Sequence, residues 1–179
     1  MKVIKLGGSL LSSGGLHDCL TAIVQRYQNN VVLVAGGGGF ADQVRHAQHT
    51  FQFNDYSAHA MALLAMQQTA WLIKGLEPRF MLADSVDLIK QLATNHVVLW
   101  LPDLAELDNA GVPATWAVTS DSLAAWLAKT LNADELLLVK SAEITALSLE
   151  KLQERGIVDE AFSDMARGIS VRVLHYQSL

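Results

Sequence analysis

Cysteine is nearly absent. Cys19 is the only one, so no intrachain disulfide can form. It sits in an apparent helix without a local nucleophile signature, which makes it a buried structural thiol rather than a catalytic one. Basic patches are missing too. Net charge is −5, acidic and basic side chains are scattered, and no long like-charge run occurs. That excludes the electrostatic footprint of a nucleic-acid binder. No apolar run approaches the roughly 20 residues of a membrane span. The opening Met1-Lys2-Val3-Ile4-Lys5-Leu6-Gly7 is too short and too soon interrupted for a signal peptide. A cytoplasmic enzyme or binding protein is expected. Repeats, low-complexity stretches and linkers are lacking, and residues 1–179 read as a single domain.

Two familiar phosphate signatures are also absent. The Walker pattern G-x-x-x-x-G-K-[ST] has no match. The dinucleotide pattern G-x-G-x-x-G fails because Gly36 and Gly38 would require a glycine at Ala41. P-loop and Rossmann cofactor sites are therefore disfavoured.

What is present is apolar and alternating. Hydrophobic residues make up 51% of the chain and charged residues 17%. This is too apolar for disorder and suits a sheet covered on both faces, or a subunit that buries a face in an oligomer. Strands are predicted at 3–6, 31–35, 79–83, 97–101, 135–139 and 169–174. Helices are predicted at 16–28, 40–51, 56–73, 85–93, 120–131 and 159–167, with 103–116 mixed. Strand-helix alternation with continuous apolar strands predicts an α/β fold with a mainly parallel sheet. Ligands on such sheets bind at the carboxyl ends of the strands.

Four groups of residues fall at such ends or at a helix start. Lys5-Leu6-Gly7-Gly8-Ser9 closes the first strand; its glycines let backbone approach a ligand, and its amides can form an anion-binding concavity. Gly36-Gly37-Gly38-Gly39 joins an apolar strand to a helix whose amino end would face an anion. Val118-Thr119-Ser120-Asp121-Ser122 opens a helix. Lys140 ends the strand Leu136-Leu137-Leu138-Val139. Each has an ordinary reading as well: a strand turn with a solvated lysine, a floppy glycine loop, a helix cap, a snorkelling lysine.

Taken together, Lys5-x-Gly7-Gly8-Ser9, the poly-glycine strand end and Thr119-x-Asp121-Ser122-x-Ala124-Ala125 resemble the amino acid kinase family over nearly the whole chain. That family includes acetylglutamate, glutamate, aspartate and uridylate kinases. Trp116 to Ala128, with Val97 to Pro102 before it, looks most like a small branch that phosphorylates an aminomethylfuran phosphate to the diphosphate. The resemblance implies a three-layer αβα sandwich. Because only a short stretch follows Lys140, it also implies an abbreviated C-terminal nucleotide lobe. It implies ATP and Mg²⁺, a small-molecule acceptor and no dedicated metal ligands. Lys5 would hold the transferred phosphoryl group. Gly7, Gly8 and Ser9, with Thr119 and Ser120, would cradle the nucleotide phosphates. Gly36, Gly37, Gly38 and Gly39 would face the acceptor. Asp121 would orient Lys5 and a second cation, Lys140. Ala117 stands where that branch is expected to carry a polar or acidic residue, which bears on how the acceptor is held.

Other residues read as ordinary. His46 and His49 lie three apart without a third metal ligand, as on a solvated helix face. The stretch from Ser57 to Trp71 reads as core or subunit interface, with a homo-oligomer expected; His59 within it reads as a satisfied core histidine, with reach to an acceptor as the alternative. Asp103, Glu106 and Asp108 form a solvated face or meet a substrate ammonium. Rival functions are a sister kinase acting on an amino acid carboxylate or a nucleoside monophosphate, and a catalytically silent binding or assembly protein.

Overall fold

The computed structural model describes residues 1–141 and 148–179. Its strands are β1 (Lys2–Leu6), β2 (Val31–Ala35), β3 (Met81–Ala83), β4 (Val97–Trp100), β5 (Glu135–Lys140) and β6 (Val171–His175). They form one sheet in the order β3-β4-β2-β1-β5-β6, and every neighbouring pair is parallel. The central strands lack polar alternation because both faces are covered. All five residues of β2 are buried.

Nine helices among the described residues surround the sheet: α1 (Leu10–Ser13), α2 (Gly15–Arg26), α3 (Gly38–Phe51), α4 (Asp55–Leu76), α5 (Val86–Ala93), α6 (Leu104–Asn109), α7 (Ser120–Thr130), α8 (Leu149–Glu154) and α9 (Phe162–Met165). A 3₁₀ turn, Tyr176–Ser178, closes the chain beside α2. One apolar cluster gathers Val3, Val32, Leu136 and Leu138 with side chains of α5, α7 and the first half of α4. The other gathers Ile4, Leu33, Leu137 and Val139 with α2 and the second half of α4. This is a helix–sheet–helix sandwich. Among the described residues no helix is long and apolar enough to cross a membrane.

The period of two in a strand decides where the site forms. Lys5 follows Val3 onto the α7 face, and Lys140 follows Leu136 and Leu138 onto the same face. The register sets Lys5 opposite Leu138, so the two lysines stand on adjacent strands at the carboxyl edge.

Several boundaries differ from the sequence reading. The helix expected from Phe40 starts at Gly38, so two of the four glycines form its first turn. Glycine's low helix propensity hid this. The helix expected over 159–167 shrinks to Phe162–Met165, because Asp159 turns its side chain to α7 instead. Helices α1, α6 and α8 are too short to carry a clear period. Asp103 caps α6 through Glu106 N, and Glu106 accepts from Val86 N. Both are structural carboxylates.

The glycine turns after β1 and β2 pack backbone against backbone. A Cβ added to Gly8 would lie 2.5 Å from Gly38 N, and one added to Gly36 would lie 2.5 Å from Gly8 N. Backbone atoms cannot swing aside, so these two positions exclude any side chain. Gly39 has open space around it. Gly36→Ala is expected to cost about 1–3 kcal/mol through overpacking. Gly39→Ala, in the first turn of α3, is expected to leave stability level or raise it by about 0.5–1 kcal/mol. Urea-unfolding midpoints of the two variants check this contrast.

Candidate active site

Three charges meet at the carboxyl edge of the sheet. Asp121, in the first turn of α7, accepts from Lys5 Nζ at 2.7 Å and from Lys140 Nζ at 2.8 and 2.7 Å. All three residues are buried. Lys140 Nζ also donates to Ile157 O at 2.7 Å. Two ammonium groups and one carboxylate leave a net positive charge in a low-dielectric place. An arriving anion would complete the balance.

Electrostatics bear on both partners of the pair. Burial alone would push the Asp121 carboxyl up. The ammonium groups of Lys5 and Lys140 outweigh it and hold the carboxyl below the usual range. Burial pulls Lys140 down to about 8, and Lys5 adds to that against the opposing pull of Asp121.

Beside this centre lies a cavity of about 340 Å³, within the range of small-ligand pockets. Gly8, Ser9 and Gly36 to Gly39 line it on the glycine side, with Thr119 and Ser120 from the start of α7. His59, Leu63 and Met66 of α4 form another wall. Trp116 stands at its boundary under the Arg45 guanidinium, 4.3 Å from ring centre to Cζ, and donates its indole N–H to Gln48 Oε1 at 2.6 Å. A second, more open hollow beyond Trp116 is bordered by Lys140, Asp121, Gly156, Ile157 and Asp159.

Of the residues singled out from the sequence, Gly8, Ser9, Gly36 to Gly39, Thr119 and Ser120 line the cavity, whereas Asp121 and Lys140 border the open hollow and Lys5 lines neither. Gly7 lies outside the cavity, and its N–H is committed to Val139 O at 2.8 Å. Gly36 likewise donates its N–H to Leu6 O at 2.9 Å. Ser9 Oγ is paired with Ser141 Oγ at 2.7 Å. Ala117 borders the open hollow rather than the glycine-lined cavity. His46 and His49 are exposed, and no group of three or more metal-ligating side chains occurs among the described residues.

The sequence reading missed Asp159. Its carboxylate accepts from Thr119 N at 2.9 Å, Thr119 Oγ1 at 2.7 Å, Ser122 N at 3.1 Å and Ser122 Oγ. It ties down the helix start that carries Asp121. No local pattern announces such a partner, because it comes from a separate segment after α8. Arg45 and Trp116 were also missed as a pair, since stacking across elements leaves no spacing signal.

The chain belongs to the amino acid kinase family, whose sequence profile matches residues 1–144. It is 25% identical over 150 residues to [5-(aminomethyl)furan-3-yl]methyl phosphate kinase of Methanocaldococcus jannaschii, an alignment spanning 80% of this chain and 67% of that one. The fold matches uridylate kinase from Archaeoglobus fulgidus at a TM-score of 0.70 and 20% identity, over 98% of this chain and 91% of that one. It matches aspartate kinase from Synechocystis at 0.74 and 15% identity, over 98% of this chain but 38% of the larger protein. At such identities the two structures speak for the fold alone.

Removing the shared carboxylate leaves two buried ammonium groups uncompensated. Asp121→Ala is expected to cost about 3–5 kcal/mol. Asp121→Asn combined with Lys140→Met is expected to recover most of that, because one excess charge goes too. Because the folded carboxyl is held low, its stabilisation is present above about pH 4 and lost as pH falls through the folded value. Urea unfolding of the variants, with wild type repeated down the acid range, reads both effects.

Proposed function

We propose that this chain transfers the γ-phosphoryl group of ATP to a small phosphorylated acceptor, an aminomethylfuran phosphate, and so makes a diphosphate. The observation that carries this is the Lys5–Asp121–Lys140 centre beside a backbone-built glycine cavity. The likeness to the M. jannaschii kinase supports the choice of acceptor. In the reaction an acceptor phosphate oxygen forms a bond to the γ-phosphorus while the bridging β–γ bond breaks, and ADP leaves. The attacking oxygen is already ionised near neutral pH, so no general base is required. Positioning and charge neutralisation do the rest. Lys5 and Lys140 would neutralise the phosphoryl oxygens, and Asp121 would hold both ammonium groups toward them.

Magnesium, when bound, would offset phosphate charge. The carboxylate at the centre, Asp121, is engaged by both lysines. The residues therefore fit a magnesium ion held on the nucleotide's own oxygens rather than in a protein cage. The open hollow bordered by Lys140, Gly156 and Ile157 is the candidate nucleotide side.

Incubation with Mg-ATP and the furan phosphate should release ADP and the diphosphate; absence of both sinks this acceptor. Product analysis with UMP and with amino acids separates the sister kinases. Calorimetry that detects no Mg-ATP binding at millimolar nucleotide would favour a silent scaffold. Lys5→Ala is expected to abolish transfer while the fold persists, as read by circular dichroism. Lys140 loses its charge as pH rises through about 8, so kcat/KM should fall about tenfold per pH unit above that value. Lys140→Arg, whose charge persists, should remove that limb.

Self-association belongs to the same proposal. Met61, Leu64, Trp71 and Leu76 of α4 are exposed large apolar side chains, a face that a second copy would cover. Sedimentation should show a dimer that Leu64→Glu converts to monomer.

A further inference from the structure

His59 is among the polar groups of the cavity that the chemistry just described leaves unused. His59 is only 5% exposed, lines the cavity, and its ring makes no hydrogen bond to another described residue. The sealed, unpartnered side-chain polar atoms among the described residues are Trp100 Nε1 and Glu106 Oε2, so the His59 ring is open to the cavity and a bound molecule can reach it. Its neighbours on α4, Ala62, Leu63 and Met66, give the cavity an apolar middle.

His59 marks the end of the cavity away from the phosphate cradle. Ala65 packs against Gly37, 3.3 Å from a Cβ built there. His59 lies six residues earlier on α4, about 9 Å along the axis at about 1.5 Å per residue. That length suits a small ring with a one-carbon arm on each side.

The charge around His59 is negative. Asp55 and Asp42 line the same cavity, and Asp108 acts on the imidazole electrostatically. Asp108 also accepts from Tyr56 Oη at 2.7 Å. Arg45, the cation on that wall, is paired with Asp42 at 3.1 Å and stacked on Trp116. Burial draws the His59 pKa down and favours the neutral ring, with Asp108 opposing it. A neutral imidazole offers an acceptor nitrogen to a cation and has no charge to give a carboxylate.

We propose that His59 is an acceptor-specificity residue, its ring nitrogen accepting a hydrogen bond from an ammonium group at the end of the acceptor opposite the phosphate. Asp55 and Asp108 supply the negative field that holds that ammonium. An acceptor ending in a carboxylate finds no partner there. The inference rests on the kinase reading above and adds which group selects the acceptor.

The test compares two acceptors, the aminomethylfuran phosphate and the same phosphate lacking the aminomethyl arm, by ADP release. Wild type should prefer the amine by roughly ten- to hundredfold in kcat/KM, the range of one charge-assisted hydrogen bond. His59→Ala should bring the two acceptors to near parity. His59→Gln, which keeps an accepting oxygen, should hold part of the preference. A wild type that does not discriminate, or a His59→Ala that discriminates as wild type does, overturns the role of His59 while leaving the kinase reading intact. A wild type that phosphorylates neither furan but turns over UMP overturns both. If His59→Ala fails to fold, the wild-type ratio and His59→Gln still decide.

Discussion

Asp121 stands between two lysines that could not otherwise share a buried site. Lys5 comes from the central strand β1 and Lys140 from its neighbour β5, and both point to α7 because each lies in register with apolar residues on that face. Without the carboxylate their charges would repel in a place where water cannot screen them. With it, the sheet edge holds a compact positive charge next to the cavity. The first turn of α7 must therefore be fixed closely, and Asp159 fixes it through both backbone and hydroxyl groups of Thr119 and Ser122.

The cavity depends on a second constraint, the contact of two backbones. Gly8 and Gly36 let the turns after β1 and β2 approach until no side chain fits between them. The approach uses up part of the hydrogen-bonding capacity of the turns: Gly7 and Gly36 donate to the strands. What remains toward the cavity is the stretch from Gly8 to Ser9 and the start of α3. Sheet pairing thus trims a broad glycine-rich region to a narrower cradle.

Much of this was readable from residue order alone. The apolar strands, the poly-glycine strand end and Asp121 at a helix start each follow from local chemistry, and the parallel sheet follows from their alternation. The Lys5–Asp121–Lys140 meeting could be expected once the strand ends were aligned. Asp159 could not, because an acid after a short irregular segment has no preferred target until the chain has folded. The start of α3 at Gly38 was hidden for the opposite reason, since glycine's intrinsic preference yields there to packing against Gly8. His59 was visible as a histidine on an apolar helix, but its lack of a partner appears only when the neighbours are in place.

The hydrogen bonds of Asp159 carry a consequence for the order in which the molecule is made. Lys5 leaves the ribosome early, Asp121 and Lys140 much later, and Asp159 later still. Strands β1 and β2 can find each other long before the helix that must lie across them is pinned. A nascent chain therefore holds its glycine turns without a finished charge centre, and the site closes only when the segment after α8 arrives. Contacts so distant in sequence slow folding.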